Sequence, residues 1–148
     1  LGIPPGYRPA VKAANQVLKW LNGKAHRRII KQINGLTRRC ASQEGNALAV
    51  CSRLDLAEDP RGVQLAEWLV EWQWPDGGWN CDRRPEADHS SFYESLPTLW
   101  GLVEYQRATG DKDFLKPIEE ASELFLQHHI FRSDKTGQII NPKWLKLH

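Results

Sequence analysis

Chemistry-bearing side chains crowd one loop. Between Asn80 and His89 the chain places Cys81, Asp82, Glu86, Asp88 and His89. Thiolate, carboxylate and imidazole are all zinc ligands, and three of them with an open fourth position make a catalytic centre. No Cys-x2-Cys pair accompanies them. A half-buried Cys81 and a His89 at the entry to a helix account for the loop without an ion. We therefore expect no metal and no other cofactor. Were zinc or magnesium held, Cys81, Asp82 and His89 are the candidate ligands. Two further acids are candidate catalytic groups for proton transfer: Asp76, whose place in a glycine-rich turn usually means structural work, and Glu94 on the helix after the loop, where a capping role competes. Trp68, Phe92, Tyr93 and Trp100 would wall a cavity that stabilises a cation through ring quadrupoles. Aromatic residues at helical spacing are, however, more often core.

Anion recognition has its own candidates. Arg27 and Lys31 stand four apart, which on a helix makes them neighbours, and Arg28 lies beside them. A guanidinium offers a planar fork to phosphate oxygens and an ammonium adds a point charge. Nucleophile and nucleotide motifs are missing: there is no Gly-x-Ser-x-Gly, no P-loop and no Gly-x-Gly-x-x-Gly.

The net charge of +2 averages two unlike parts. Residues 1–43 hold nine Lys or Arg and no acid, whereas the rest hold eleven against eighteen carboxylates. Either the basic helices pack beside acidic ones or they bind an anion, a diphosphate or a nucleic acid. Segment 8–39 includes Trp20, with Tyr7 just before it, but carries no recognised motif, so no nucleic-acid partner is expected.

The chain is organised around residues 66–102. A Trp-rich helix ends at Gln73, and Pro75-Asp76-Gly77-Gly78-Trp79 follows. A side-chain amide at a helix end can donate to its last carbonyls. Pro75 cannot continue the helix, and Gly77 and Gly78 permit positive φ. Trp79 then folds back on the helix end, its indole N–H free to find a carbonyl.

Gln73-x3-Gly77-x-Trp79, after an aromatic-aliphatic helix end, resembles the Gln-Trp repeat of squalene and oxidosqualene cyclases. With His89-Ser90-Ser91-Phe92 and the next helix, it is similar to the prenyltransferase and squalene-oxidase repeat class. The specific match covers about a quarter of the chain. The resemblance implies an α/α toroid, with outer and inner helices alternating around an apolar cavity. It implies a structural role for Gln73, Gly77, Gly78 and Trp79. Protein prenyltransferases of this class bind zinc through Asp, Cys and His, but their Asp-x-Cys spacing is absent, because Cys81 does not lie two residues after an Asp. The DxDD acid motif of squalene cyclases is absent too.

The elements follow from periodicity. Residues 1–9 form an extended lead-in. A first helix from Pro9 buries Val11, Ala14, Leu18 and Leu21 and stops at Asn22-Gly23. A second spans Lys24–Ile33 and closes at Asn34-Gly35. A third runs from Ser42 to about Leu56, with Leu48, Cys51 and Leu54 buried. Asp59-Pro60-Arg61-Gly62 turns into a fourth, Val63–Trp72. The fifth opens on a capping box, Ser91 with Glu94. It runs to Ala108 with a bend at Pro97, and Phe92, Leu96, Leu99, Trp100 and Val103 line one face. The sixth covers Phe114–His128. Residues 130–148 are irregular, with Ile139-Ile140 extended and Trp144, Leu145 and Leu147 apolar near the end. Gln73 and Gln127 each end a helix before a turn containing glycine, Gly77 and Gly137, a helix-pair repeat.

The expected fold is one all-α domain over 1–148, an arc of antiparallel helix pairs from an α/α toroid. Its length is too short to close a ring, and it has no Met. We read it as a fragment, to be completed by the rest of a toroid or by a homo-oligomer. No apolar run reaches the ~20 residues of a membrane span. Three cysteines without framework spacing suit a reducing cytoplasm. The function expected from the resemblance is isoprenoid handling, an apolar or isoprenyl diphosphate ligand bound by the aromatic and cationic residues above. The alternatives are a non-catalytic toroid scaffold and a zinc-dependent prenyltransferase-like enzyme using the Cys81–His89 loop.

Overall fold

A computed structural model of the chain describes residues 2–146. Six helices dominate: α1 (Arg8–Leu21), α2 (Lys24–Arg27), α3 (Ser42–Arg53), α4 (Pro60–Glu71), α5 (Phe92–Thr109) and α6 (Leu115–Gln127). Between α2 and α3 lies a two-stranded hairpin, β1 (Lys31–Ile33) and β2 (Leu36–Arg38). Single 3₁₀ turns precede α6 and close the C-terminal segment. The chain is therefore mostly helical rather than purely α. One apolar core runs through it, with Leu18 of α1, Leu48 of α3, Leu65 and Leu69 of α4, Leu102 of α5 and Ala121 of α6.

The expected second helix, Lys24–Ile33, is corrected. It stops after one turn at Arg27, and the rest forms the hairpin, Ile33 opposite Leu36 and Lys31 opposite Arg38. Asn34 and Gly35 take φ of 53° and 76°, the paired left-handed conformation of a two-residue hairpin turn that Asn-Gly favours. Arg27 and Lys31 are thus not helical neighbours. Buried side chains tie this corner to α3. Glu44 accepts from Arg39 Nε at 2.9 Å, and His26 Nε2 lies 3.0 Å from the same oxygen.

Helices α3 and α5 touch backbone to backbone. A methyl on Gly45 would sit 2.5 Å from Thr98 Cα, and one on Gly101 would sit 2.3 Å from the Gly45 oxygen. Only glycine allows that approach. It also corrects the expected buried face of α5 in part: the buried residues are Ser95, Thr98, Gly101, Leu102, Glu104 and Tyr105, and of the expected row Leu99 packs, partly buried, against the core. Leu96 and Trp100, 58% and 38% exposed, face out. Small residues permit the close crossing, and Leu96 and Trp100 are turned away from it. The helix continues unbroken through Pro97.

The capping box is also corrected: Ser91 makes no side-chain cap. Glu94 reaches across instead, and its Oε2 accepts from the Ser42 N–H at the start of α3, at 3.0 Å. At α4, Asp59 accepts from the Arg61 N–H at 2.9 Å with Pro60 in the first turn. This is an N-cap with its usual partners.

The turn after α4 is closed from several sides. Trp79 is 1% exposed, and its indole donates to the Leu69 carbonyl at 2.7 Å. Gln73 Nε2 donates to the Gly77 and Pro117 carbonyls at 2.7 and 2.9 Å, so it bridges the turn to α6 rather than capping its own helix. Gly77 has φ of 92°; Gly78 does not take positive φ. A methyl on Gly78 would instead meet Ser95 Oγ at 2.4 Å.

Candidate functional site

Four of the sequence-selected ligand residues meet in one groove. Arg27 at the end of α2, Arg28 and Lys31 of β1 line a space of about 470 Å³ together with Trp68 of α4. Lys24, which sequence reasoning did not single out, adds a fourth cation, and α4 contributes Glu71 and Trp72. Trp68 and Trp72 stack, their centroids 5.7 Å apart and their planes 13° from parallel, as i, i+4 positions allow. The Arg27 guanidinium lies 4.5 Å over the Trp68 ring, within cation–π range. The hairpin brings Lys31 here by a route that helical spacing does not supply.

Phe92 and Tyr93 lie elsewhere, so the expected single aromatic cavity is corrected. They line a cleft of about 830 Å³ with Asp76, Asp82, His89 and Trp144. Trp144 stacks on Phe92 at 5.6 Å, and its indole donates to the Tyr93 hydroxyl at 2.9 Å. Asp76 accepts from the Ser90 N–H and hydroxyl at 2.7 and 2.6 Å, which pins the polar loop to the glycine turn. Trp100 stands on the exposed face of α5, 5.6 Å from the Arg53 guanidinium. Arg53 also holds Glu104 through two bonds of 2.9 Å, and this pairing keeps the Glu104 carboxyl below the usual range.

Cys81, Asp82 and His89 do not converge. Asp82 is bonded by Arg84, which holds its carboxyl down at about 2. His89 is exposed and pairs with Asp88 at 2.9 Å. Cys81 faces the other way. Its thiol lies 3.4 Å from Glu94 Oε1, and Cys40, Cys81 and Glu94 each bring a ligand atom within 4.8 Å of the others. Burial, then the Cys40 thiol and the Glu94 charge, push the Cys81 thiol up to about 12. Among the described residues this is the one such group of three. Cys40 escaped sequence reasoning because its partner is far along the chain. The link is the bridge between Arg38 and Asn80, with the Arg39 N–H donating to the Asn80 carbonyl at 3.1 Å.

No helix among the described residues is long and apolar enough to cross a membrane. No family model, curated protein or solved structure matches the chain.

Proposed function

We propose that the chain is an isoprenoid-handling protein, an arc of antiparallel helix pairs from an α/α toroid, which binds an isoprenyl diphosphate at the hairpin groove. One observation carries this: Lys24, Arg27, Arg28 and Lys31 line the same groove as the stacked Trp68 and Trp72. The diphosphate takes the cations, with Arg27 swinging off Trp68 toward the anion and baring the ring for the first isoprene unit. The two candidate proton-transfer acids, Asp76 and Glu94, do not line the groove, whose acid is Glu71. The toroid is supported by the exposed row of Tyr93, Leu96 and Trp100 on α5. In an arc whose inner helices are α3 and α5, that row faces the central cavity. Three free cysteines suit a reducing cytoplasm.

The same exposed row supports a second reading, a non-catalytic toroid module whose apolar face is covered by a second copy or by the rest of the ring. Titration calorimetry with an isoprenyl diphosphate, with pyrophosphate and with the prenyl alcohol, at low and moderate salt, separates the two. The diphosphate should bind with salt-sensitive heat, pyrophosphate more weakly and the alcohol least. Arg27→Ala with Lys31→Ala should weaken binding at least tenfold, about 1.4 kcal/mol. Unchanged binding in the double variant, or no heat in the wild type, would leave the module reading in front.

A further inference from the structure

We propose that Cys40, Cys81 and Glu94 form a zinc site, two thiolates and one carboxylate around the ion with water in the fourth position. It is distinct from the hairpin groove and does not rest on the function proposed there.

The donors come from three segments: Cys40 between β2 and α3, Cys81 in the loop after Trp79, and Glu94 in the first turn of α5. Backbone bonds hold the three together. The Arg38–Asn80 bridge and the Arg39-to-Asn80 bond set the two cysteine segments side by side. The Ser91 N–H donates to the Trp79 carbonyl at 2.8 Å, which fixes the start of α5 beside the same loop. The Glu94 carboxylate is oriented as well. Its Oε2 is occupied by the Ser42 N–H, and its Oε1 is aimed at the Cys81 sulfur. A ligand oriented by a second hydrogen bond is typical of protein metal sites.

The spacing fits the ion. With Zn–S of about 2.3 Å and Zn–O of about 2.0–2.2 Å, tetrahedral ligand atoms stand roughly 3.5–3.8 Å apart. Cys81 Sγ and Glu94 Oε1 are 3.4 Å apart, and no pair of the three ligand atoms exceeds 4.8 Å. Closing on an ion needs only a small contraction. Paired thiolates select zinc over magnesium or calcium, which prefer all-oxygen shells. All three residues are half-buried, so an ion and a water can both reach them. Three protein donors with one open position is the ligand count of catalytic zinc.

Cobalt(II) is the probe. Reduced, metal-free full-length chain should take up one equivalent, with sulfur-to-cobalt charge-transfer absorption and tetrahedral ligand-field bands. Zinc should displace the cobalt and raise the melting temperature of the chain. Cys40→Ser and Cys81→Ser should each weaken zinc binding at least tenfold and cut the charge-transfer intensity. Glu94→Gln should weaken binding but keep both sulfur signals. Cys51→Ala should bind as the wild type does. The wild-type spectrum needs no variant to fold. Absence of thiolate–cobalt absorption in it would overturn the proposal. So would absorption that persists in the Cys40→Ser/Cys81→Ser double variant.

Discussion

Gly101 of α5 lies so close to Gly45 of α3 that a methyl on it would stand 2.3 Å from the Gly45 carbonyl oxygen. The obstacle is helix backbone, which cannot turn aside as a side-chain end can. Gly101→Ala should therefore destabilise by roughly 1–3 kcal/mol, the usual cost of overpacking. This holds although alanine is the better helix former by about 1 kcal/mol. A denaturant melt in which Gly101→Ala is more stable than the wild type would show that the two helices stand further apart.

Trp79 ties the end of α4 to the turn that follows it. Its ring is buried and its indole N–H donates to Leu69. Trp79→Ala should cost about 3–5 kcal/mol, as other buried aromatic truncations do. Trp79→Phe keeps most of the buried area but leaves the Leu69 carbonyl without that donor. It should cost less than the alanine variant and more than the ~1 kcal/mol of a hydrogen bond alone. Equal losses in the two variants would assign the whole effect to the indole N–H.

What was legible in the sequence was local. Asp59-Pro60 marks the start of α4, and the Pro75–Trp79 turn is visible because Pro75, Gly77 and the Trp79 that folds back on Leu69 lie within a few positions, whereas its ties to Ser90, Ser95 and Pro117 are not. Helices α1, α3 and α6 were recovered to within a few residues for the same reason. The hairpin was not, because Ile29, Ile30 and Ile33 suit a helix face and a strand alike, and Asn34-Gly35 ends a helix as readily as it turns a hairpin. The buried face of α5 was read from bulk, whereas the contact is made by Gly101 against Gly45, residues that no local pattern joins. The groove cations were named individually, but what assembles them is the hairpin. The Cys40–Cys81–Glu94 cluster depends on a backbone bridge between distant segments, which the order of residues does not reveal.

Gly35 tests the left-handed turn that joins β1 to β2. Its φ is 76°, and an added Cβ there would meet nothing, so any cost of Gly35→Ala comes from the backbone alone. Left-handed conformation costs an L-residue about 1–2 kcal/mol. The variant should lose about that much stability and loosen the edge that carries Lys31. A variant as stable as the wild type would show that Gly35 does not hold a left-handed conformation. Chemical denaturation gives the sign, and salt-sensitive diphosphate binding should fall along with stability.

Asp59 gives the acid side of the stability curve a specific contributor. Its side-chain bond with Arg61 lowers its carboxyl below the ordinary value, against a smaller opposing effect of burial, and the Arg61 N–H adds to the lowering. A carboxylate whose folded pKa is depressed binds fewer protons in the folded than in the unfolded state. Its contribution is therefore fully present above the unfolded value of about 4 and is lost as pH falls through the lower folded value. Asp59 also caps α4, so Asp59→Ala should cost about 1 kcal/mol at neutral pH. Asp59→Asn keeps a capping oxygen and loses only the charge, so its deficit should be smaller. Both deficits should shrink as the wild type is protonated. Melts of the three proteins from neutral pH down through the carboxylate range test this. A wild-type advantage over Asp59→Asn that stays constant to the lowest pH would mean that the Arg61 pairing contributes nothing through the charge of Asp59.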